Sequence, residues 1–409
     1  MRLIQRHPEP SSLRDRLVAR GRWGFAVPHR PLFLGAALLA SLSVPLWLAA
    51  QAMGVSDLAG LPPRLWHTRE MLFGFLPAVV AGYLLSVMPN RSRRLPRHGV
   101  PLAGLVFLWL LARLPLPAPL MTPGILVIID AAFPAAVLGA LLREARFPGP
   151  WPHWPEIGAV AVLTVGCGAS RALFLLETYP QFWQLWPGTL RAALTLALWL
   201  IFLVGGRLTP SLTRSACLDR KCRMAIAAPN GFDRWIMAVT LPALGLIVAD
   251  LQSPAVALVL AVVGGLHLAR LARWRGWLPL PLKVRALHFG YAWASLSVLL
   301  AAVAACGWTS GDTARHAAAV GALGTMSLAV MVRLATTLGP LPRADLRWCR
   351  SALALILLAT PLRLTAGPTP SPLLWFAAIA WSLGWACSAR ALAQGWLSRP
   401  RPSDTARPL

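Results

Sequence analysis

Four histidines fall inside long apolar stretches of this chain: His67, His267, His288 and His316. A neutral imidazole offers a lone pair to a metal, and two at one depth can ligate a haem iron axially or supply part of a copper site. The alternative is that each one caps an interfacial helix end or bonds to a neighbouring polar group. His7, His29, His98 and His153 fall in tails or loops and carry little information.

Other polar residues share the apolar stretches. His67, Glu70, Met71 and Gly74 lie at i, i+3, i+4 and i+7, one face of a helix. Glu70 can support a ligand imidazole, or pair with Arg69 or with Arg171. Asp130 sits in the middle of another apolar run, where an unpaired carboxylate is protonated or strongly destabilising. That leaves it a proton or cation role, or an ion pair with Arg171. Gly321 and Gly324 follow His316, and Gly264 precedes His267 by about one turn. Small residues there admit a flat macrocycle or, more commonly, another helix.

The elements that position these residues must be membrane helices. Of 409 residues, 57% are hydrophobic and 13% charged, and the mean hydropathy is +0.60. A soluble domain carries about 25% charged residues. With about 20 apolar residues needed to cross a bilayer, twelve runs qualify or nearly so. They lie near 31–52, 66–88, 100–114, 119–142, 157–176, 187–206, 235–250, 254–272, 285–306, 314–337, 350–366 and 371–392. The expected fold is therefore all-α and polytopic, with a basic segment over 1–30, a membrane domain over 31–394 and a tail over 395–409.

The net charge of +25 is distributed in tracts. Basic clusters occupy the N-terminal segment, the loops after helices 2, 4, 6, 8 and 10, and the tail. The intervening loops and helix ends hold only single arginines: Arg64, Arg113, Arg191, Arg315 and Arg363. The positive-inside rule then places both termini in the cytoplasm. Confinement to such loops argues against nucleic acid as a partner and for the lipid bilayer. The first apolar run is long enough to span, so no cleavable signal is expected. Trp151, Trp154, Trp183 and Trp186 read as interfacial aromatics in loops. The six cysteines form no CxxC pair; Cys217 and Cys222 fall in one basic loop. No nucleotide-binding loop is present.

Helix direction pairs the histidines. Helices 2 and 10 run inward from the outer face, with His67 and His316 near their starts. His267 near the end of helix 8 and His288 near the start of helix 9 share an inner depth.

In this order the residues resemble the NnrS family of twelve-helix membrane proteins that contain haem and copper and are associated with nitric-oxide handling. The matching stretches are Trp66-His67-Thr68-Arg69-Glu70-Met71-Leu72-Phe73-Gly74-Phe75, Gly205-Gly206-Arg207 with Thr213-Arg214, Leu287-His288-Phe289-Gly290-Tyr291-Ala292-Trp293, and His316 through Gly321-Ala322-Leu323-Gly324-Thr325-Met326. Asp130-Ala131-Ala132-Phe133 and Leu266-His267-Leu268 match more weakly. The resemblance implies a multi-pass protein of a bacterial-type inner membrane, with haem and copper on His67, His267, His288 and His316, and nitric oxide or a derived small molecule as its partner. Two family histidines are replaced: Arg69 stands at the second His of a His-x-His-Glu pattern, and Leu338 at another. A guanidinium stays protonated and cannot replace a ligand imidazole. Arg69 is then free to pair with Glu70 or with a haem propionate. A twelve-helix secondary transporter relying on Asp130 and a degenerate, non-catalytic relative remain as alternatives.

Overall fold

The computed structural model describes residues 23–91, 96–114, 122–147, 154–176, 185–220, 226–338, 345–367 and 371–397. Among them are twelve helices and no sheet, one helix for each expected run. These are α1 (His29–Ala52), α2 (63–91), α3 (Val100–Leu111), α4 (Pro123–Ala145), α5 (Trp154–Leu175), α6 (Leu185–Asp219), α7 (Gly231–Val248), α8 (Pro254–Ala272), α9 (Leu282–Ala305), α10 (311–338), α11 (Asp345–Thr365) and α12 (Pro372–Leu397). Ten are long and apolar enough to cross a membrane. The exceptions are α3, with 12 residues, and α11, which carries Arg347, Arg350 and Arg363.

Exposure separates the helices into two shells. Large apolar side chains stand exposed on the outer helices, such as Leu42 and Leu46 on α1, Ile128 on α4, Val165 on α5, Leu258 on α8 and Phe376 on α12. In water such surfaces aggregate; in a bilayer they meet lipid. None of the exposed large apolar residues belongs to α2 or α10, and α6 shows them only near its ends, at Leu185 and Leu218. α2, α6 and α10 pack against one another as an inner trio. They are four helices apart in the chain, so the other nine form three groups around them. α11, α12 and α1 lie between α10 and α2, α3 to α5 between α2 and α6, and α7 to α9 between α6 and α10.

Each inner helix contains one π-helical stretch: Glu70–Phe75, Ile201–Gly205 and Ala317–Gly324. An i→i+5 bond admits an extra residue and re-aims the side chains beyond it, and such bulges gather at functional sites. At or next to each stretch a glycine seats a bulky neighbour. A Cβ at Gly74 would come within 2.6 Å of Arg113, one at Gly206 within 2.7 Å of Arg270, and one at Gly321 within 2.8 Å of Trp293. Gly324 receives Trp381 and Gly264 receives Leu299 in the same way. The glycines after His316 and before His267 thus serve helix and side-chain packing.

Three local expectations are corrected. α6 does not end at 206 but continues to Asp219, because Gly205 and Gly206 keep right-handed helical backbone and Leu208, Thr209, Thr213 and Ala216 bury one face beyond them. Cys217 is accordingly buried on this helix instead of lying in a loop; Cys222 lies outside the described residues. His29 is not in a tail: it opens α1, buried, with its backbone N–H donating to Ser86 Oγ at 3.1 Å. Trp154 and Trp186 sit within the first turns of α5 and α6, while Trp151, Trp183, His7 and His153 lie outside the described residues.

The glycine contacts predict a contrast. Gly324→Ala drives a methyl to within 2.7 Å of the Trp381 ring and should destabilise by about 1–3 kcal/mol. Gly265→Ala meets nothing within 4 Å and should be neutral or slightly stabilising. Thermal unfolding of the two variants in detergent would check the difference; equal midpoints would contradict the packing described.

Candidate ligand cavity and buried polar networks

A large cavity lies among the N-terminal turns of α2, α6 and α10 and is bordered by α1, α11 and α12; its volume is about 570 Å³. His67 and His316 both line it. His316 Nδ1 lies 2.9 Å from the backbone carbonyl of Asp312. A carbonyl only accepts, so Nδ1 carries the proton and Nε2 is left as a lone pair. The His67 ring stacks on Trp47, with centroids 4.8 Å apart and planes 11° from parallel, and its Nδ1 is buried without a hydrogen-bond partner. One turn on, Met71 also lines the cavity and is held by the Ser43 hydroxyl, 3.2 Å from its sulfur. The interior walls are apolar, among them Leu72, Phe75, Leu194, Val320, Leu323 and Ala377.

Charge is confined to the cavity's mouth. Arg64, Arg191, Arg315 and Arg363 meet there with Asp250 and Asp312, four cations against two anions. Asp312 binds Arg363 at 2.9 Å and approaches Arg315 at 3.7 Å, and Arg191 reaches Asp250 at 3.4 Å. These are four of the five arginines that stand singly in the sequence; they are scattered along the chain and gathered in space.

The fifth, Arg113, belongs to a second polar group among α2 to α5. Glu70 accepts from Arg69 at 2.9 Å and pairs with Arg113 at 3.0 Å. Asp130 binds Arg171 at 2.8 Å and also Arg69. Arg69 therefore bridges the two carboxylates, and all five side chains are buried or nearly so. Neither Arg69 nor Glu70 lines the cavity. Asp130 takes its ion pair with Arg171, and Glu70 pairs with Arg69 and not with Arg171.

A third group lies among α6 to α9. Thr240 donates its hydroxyl to the Ile236 carbonyl at 2.7 Å, so it accepts from His267 Nε2 at 2.9 Å. His267 Nδ1 then accepts from the Tyr291 hydroxyl at 2.8 Å, and the Tyr291 oxygen accepts from Arg270 at 2.9 Å. Arg270 is fixed in turn by Asp233 at 2.7 Å. The His267 ring lies stacked on Phe202, centroids 3.7 Å apart. His288 donates to Thr213, whose own proton goes to the Thr209 carbonyl; its buried Nδ1 has no hydrogen-bond partner and faces Gly276.

The structure thus brings His67 and His316 to one cavity, and gives His267 and His288 separate hydrogen-bond partners. It also brings to that cavity Trp47 and Asp312, which sequence reasoning did not single out, and four arginines that it noted only as isolated charges. Their single occurrence in loops otherwise poor in charge was the one available signal. Among the described residues, no three His, Cys, Asp or Glu side chains converge as a metal site would require.

A family model described as NnrS protein matches residues 24–401, nearly the whole chain. A comparison with curated proteins found no match.

The buried networks carry a stability prediction. Asp130→Ala leaves Arg171 without its carboxylate inside the membrane domain and should cost about 3–5 kcal/mol. Tyr291→Phe removes one hydrogen bond at each of His267 and Arg270 and should cost about 1–3 kcal/mol. Thermal or denaturant unfolding of the purified variants would measure both. An Asp130→Ala protein as stable as the parent would contradict the ion-paired arrangement.

Proposed function

The chain belongs to the NnrS family, and on that premise we propose that its outer cavity is a haem site serving a response to nitric oxide or nitrosative stress. The observation that carries this is the presence of two histidines on one apolar cavity of about 570 Å³. That volume falls within the range of about 300–1,000 Å³ common for ligand pockets. His316, with Nδ1 bonded to the Asp312 carbonyl, and His67 both line this cavity, and imidazoles are the donors a haem iron takes. Apolar walls suit the macrocycle, and a mouth with two excess positive charges suits two propionates.

Haem held there supplies an iron that binds small diatomic ligands and exchanges electrons. Every other role belongs to the chain. Asp312 orients His316 through its carbonyl, and Trp47 fixes the plane of His67 by stacking. Leu72, Phe75 and Val320 exclude water from the interior, while Arg64, Arg191, Arg315 and Arg363 fix which end of the ligand faces the solvent.

Copper fits less well. No described group supplies three ordinary ligands, and Arg69, at the position of a family histidine, is committed to Glu70 and Asp130. The transporter alternative loses its candidate carboxylate in the same network, since Asp130 lies between two guanidinium groups and does not line the cavity. The arginine distribution supports insertion in a bacterial-type inner membrane with both termini in the cytoplasm, which would open the cavity to the outer side.

A reduced-minus-oxidised visible spectrum of the detergent-purified protein, expressed with adequate haem, tests the proposal. A Soret band is expected, abolished or strongly shifted in His67→Ala and His316→Ala and unchanged in His288→Ala. A blank spectrum from well-folded protein, or a band that only His288→Ala removes, would overturn it.

A further inference from the structure

At the basic end of α7 to α9, arginines continue the exposed apolar stripes of their helices. On α7, Arg234 is exposed together with Ala238, Leu241 and Gly245, at i, i+4, i+7 and i+11. On α9, Arg285 is exposed with Phe289 and Leu296, at i+4 and i+11 from it. Such stripes meet lipid tails, so a guanidinium at their end stands at the level of the headgroups. Lys283, exposed in the same turn as Arg285, adds a further charge.

Arg275 lies in the connection from α8 to α9, which is pinned to the bundle. Trp274 is buried edge-on against Tyr291 at 4.7 Å, Leu280 is buried in one cluster with Ala216 and Cys217 of α6, and Gly276 lies against the His288 ring. Trp277 of the same connection is 69% exposed, as an interfacial anchor would be. The neighbouring carboxylate does not neutralise these charges. Asp233 is taken by Arg270 at 2.7 Å and Arg273 at 3.2 Å. Among the described residues, the side chains of Arg234, Arg275 and Arg285 have no hydrogen-bond or ion-pair partner.

We propose that Arg234, Arg275 and Arg285, with Trp277, form a docking site for anionic phospholipid of the cytoplasmic leaflet. The phosphodiester oxygens accept from the guanidinium groups, and the acyl chains lie along the exposed faces of α7 and α9. Charge and position together select the occupant. Guanidinium presents paired N–H groups that match phosphate oxygens. A zwitterionic lipid brings a cation of its own to the arginines, and a soluble anion has no tails for the stripes below. The positive-inside rule puts this end at the leaflet whose anionic lipids attract cations beside the membrane.

Native mass spectrometry of the detergent-purified full-length protein, titrated with phosphatidylglycerol or phosphatidylcholine, tests this. Phosphatidylglycerol should bind at least tenfold more tightly. Arg234→Gln/Arg275→Gln/Arg285→Gln should lower that preference at least fivefold, and Arg285→Gln alone at least twofold. Because these side chains lack partners, the thermal midpoint in phosphatidylcholine should stay at the parent value. Arg347→Gln/Arg350→Gln, which removes exposed charge from α11, should leave the preference within twofold. Equal affinity for the two lipids would overturn the proposal, as would a preference that survives the triple substitution or falls equally with the α11 variant. Displacement of the bound lipid by millimolar inorganic phosphate would assign the arginines to a free anion and overturn it as well.

Discussion

Inside a bilayer there is no water to satisfy a polar side chain, and every such group must pair, bond to backbone or face a cavity. The arrangement of this molecule follows from that constraint. Three sets of polar residues are distributed one to each group of outer helices, and each is closed by the inner trio. Between α10 and α2 the set is open, two histidines facing a cavity with charges only at its mouth. Between α2 and α6 it is closed by charge, with Arg69 joining Glu70 to Asp130. Between α6 and α10 it is closed by hydrogen bonds running from Asp233 through Arg270 and Tyr291 to His267 and Thr240. Only the first set places its two histidines, His67 and His316, on the lining of a cavity of about 570 Å³.

The inner trio owes its form to the same requirement. Guanidinium groups and indoles need room beside a helix backbone, and glycine provides it without a cavity elsewhere. Gly74, Gly206 and Gly321 lie at or beside the three π-helical stretches and receive Arg113, Arg270 and Trp293. The extra residue of a π-turn shifts the phase of the helix after it. Thus α2 presents His67 to one compartment above its stretch and apolar Leu76 and Val79 to a small groove below it. This device recurs in every fourth helix, α2, α6 and α10.

The helices were legible in the sequence because hydropathy and arginine placement report a long apolar run and its flanks directly. The proximity of His67 to His316 was legible too, since each stands near the start of its helix, α2 or α10, and both line one cavity. What composition does not carry is rotation about the helix axis. Depth alone put His267 and His288 together, yet His267 is turned toward Thr240 and Tyr291, and His288 toward Thr213. The rim was illegible for a related reason. Arg64, Arg191, Arg315 and Arg363 come from four helix ends far apart in sequence, and only the closing of the bundle makes them neighbours.

Rotation also bears on Arg69. Two positions on an α-helix are separated by about 200°, so His67 and residue 69 point into different compartments. The structure follows that geometry: His67 lines the cavity between α10 and α2, and Arg69 is buried with Glu70, Asp130 and Arg113 on the side of α3 to α5. A histidine at position 69 would face the second compartment, beside two carboxylates, and not the first. The arginine there supplies positive charge between Glu70 and Asp130. The replacement therefore bears on the second compartment and leaves the cavity lined by His67 and His316 as it is. His67 and Arg69 thus lie on opposite sides of the same helix, and the residue at position 69 does not touch the cavity that His67 lines.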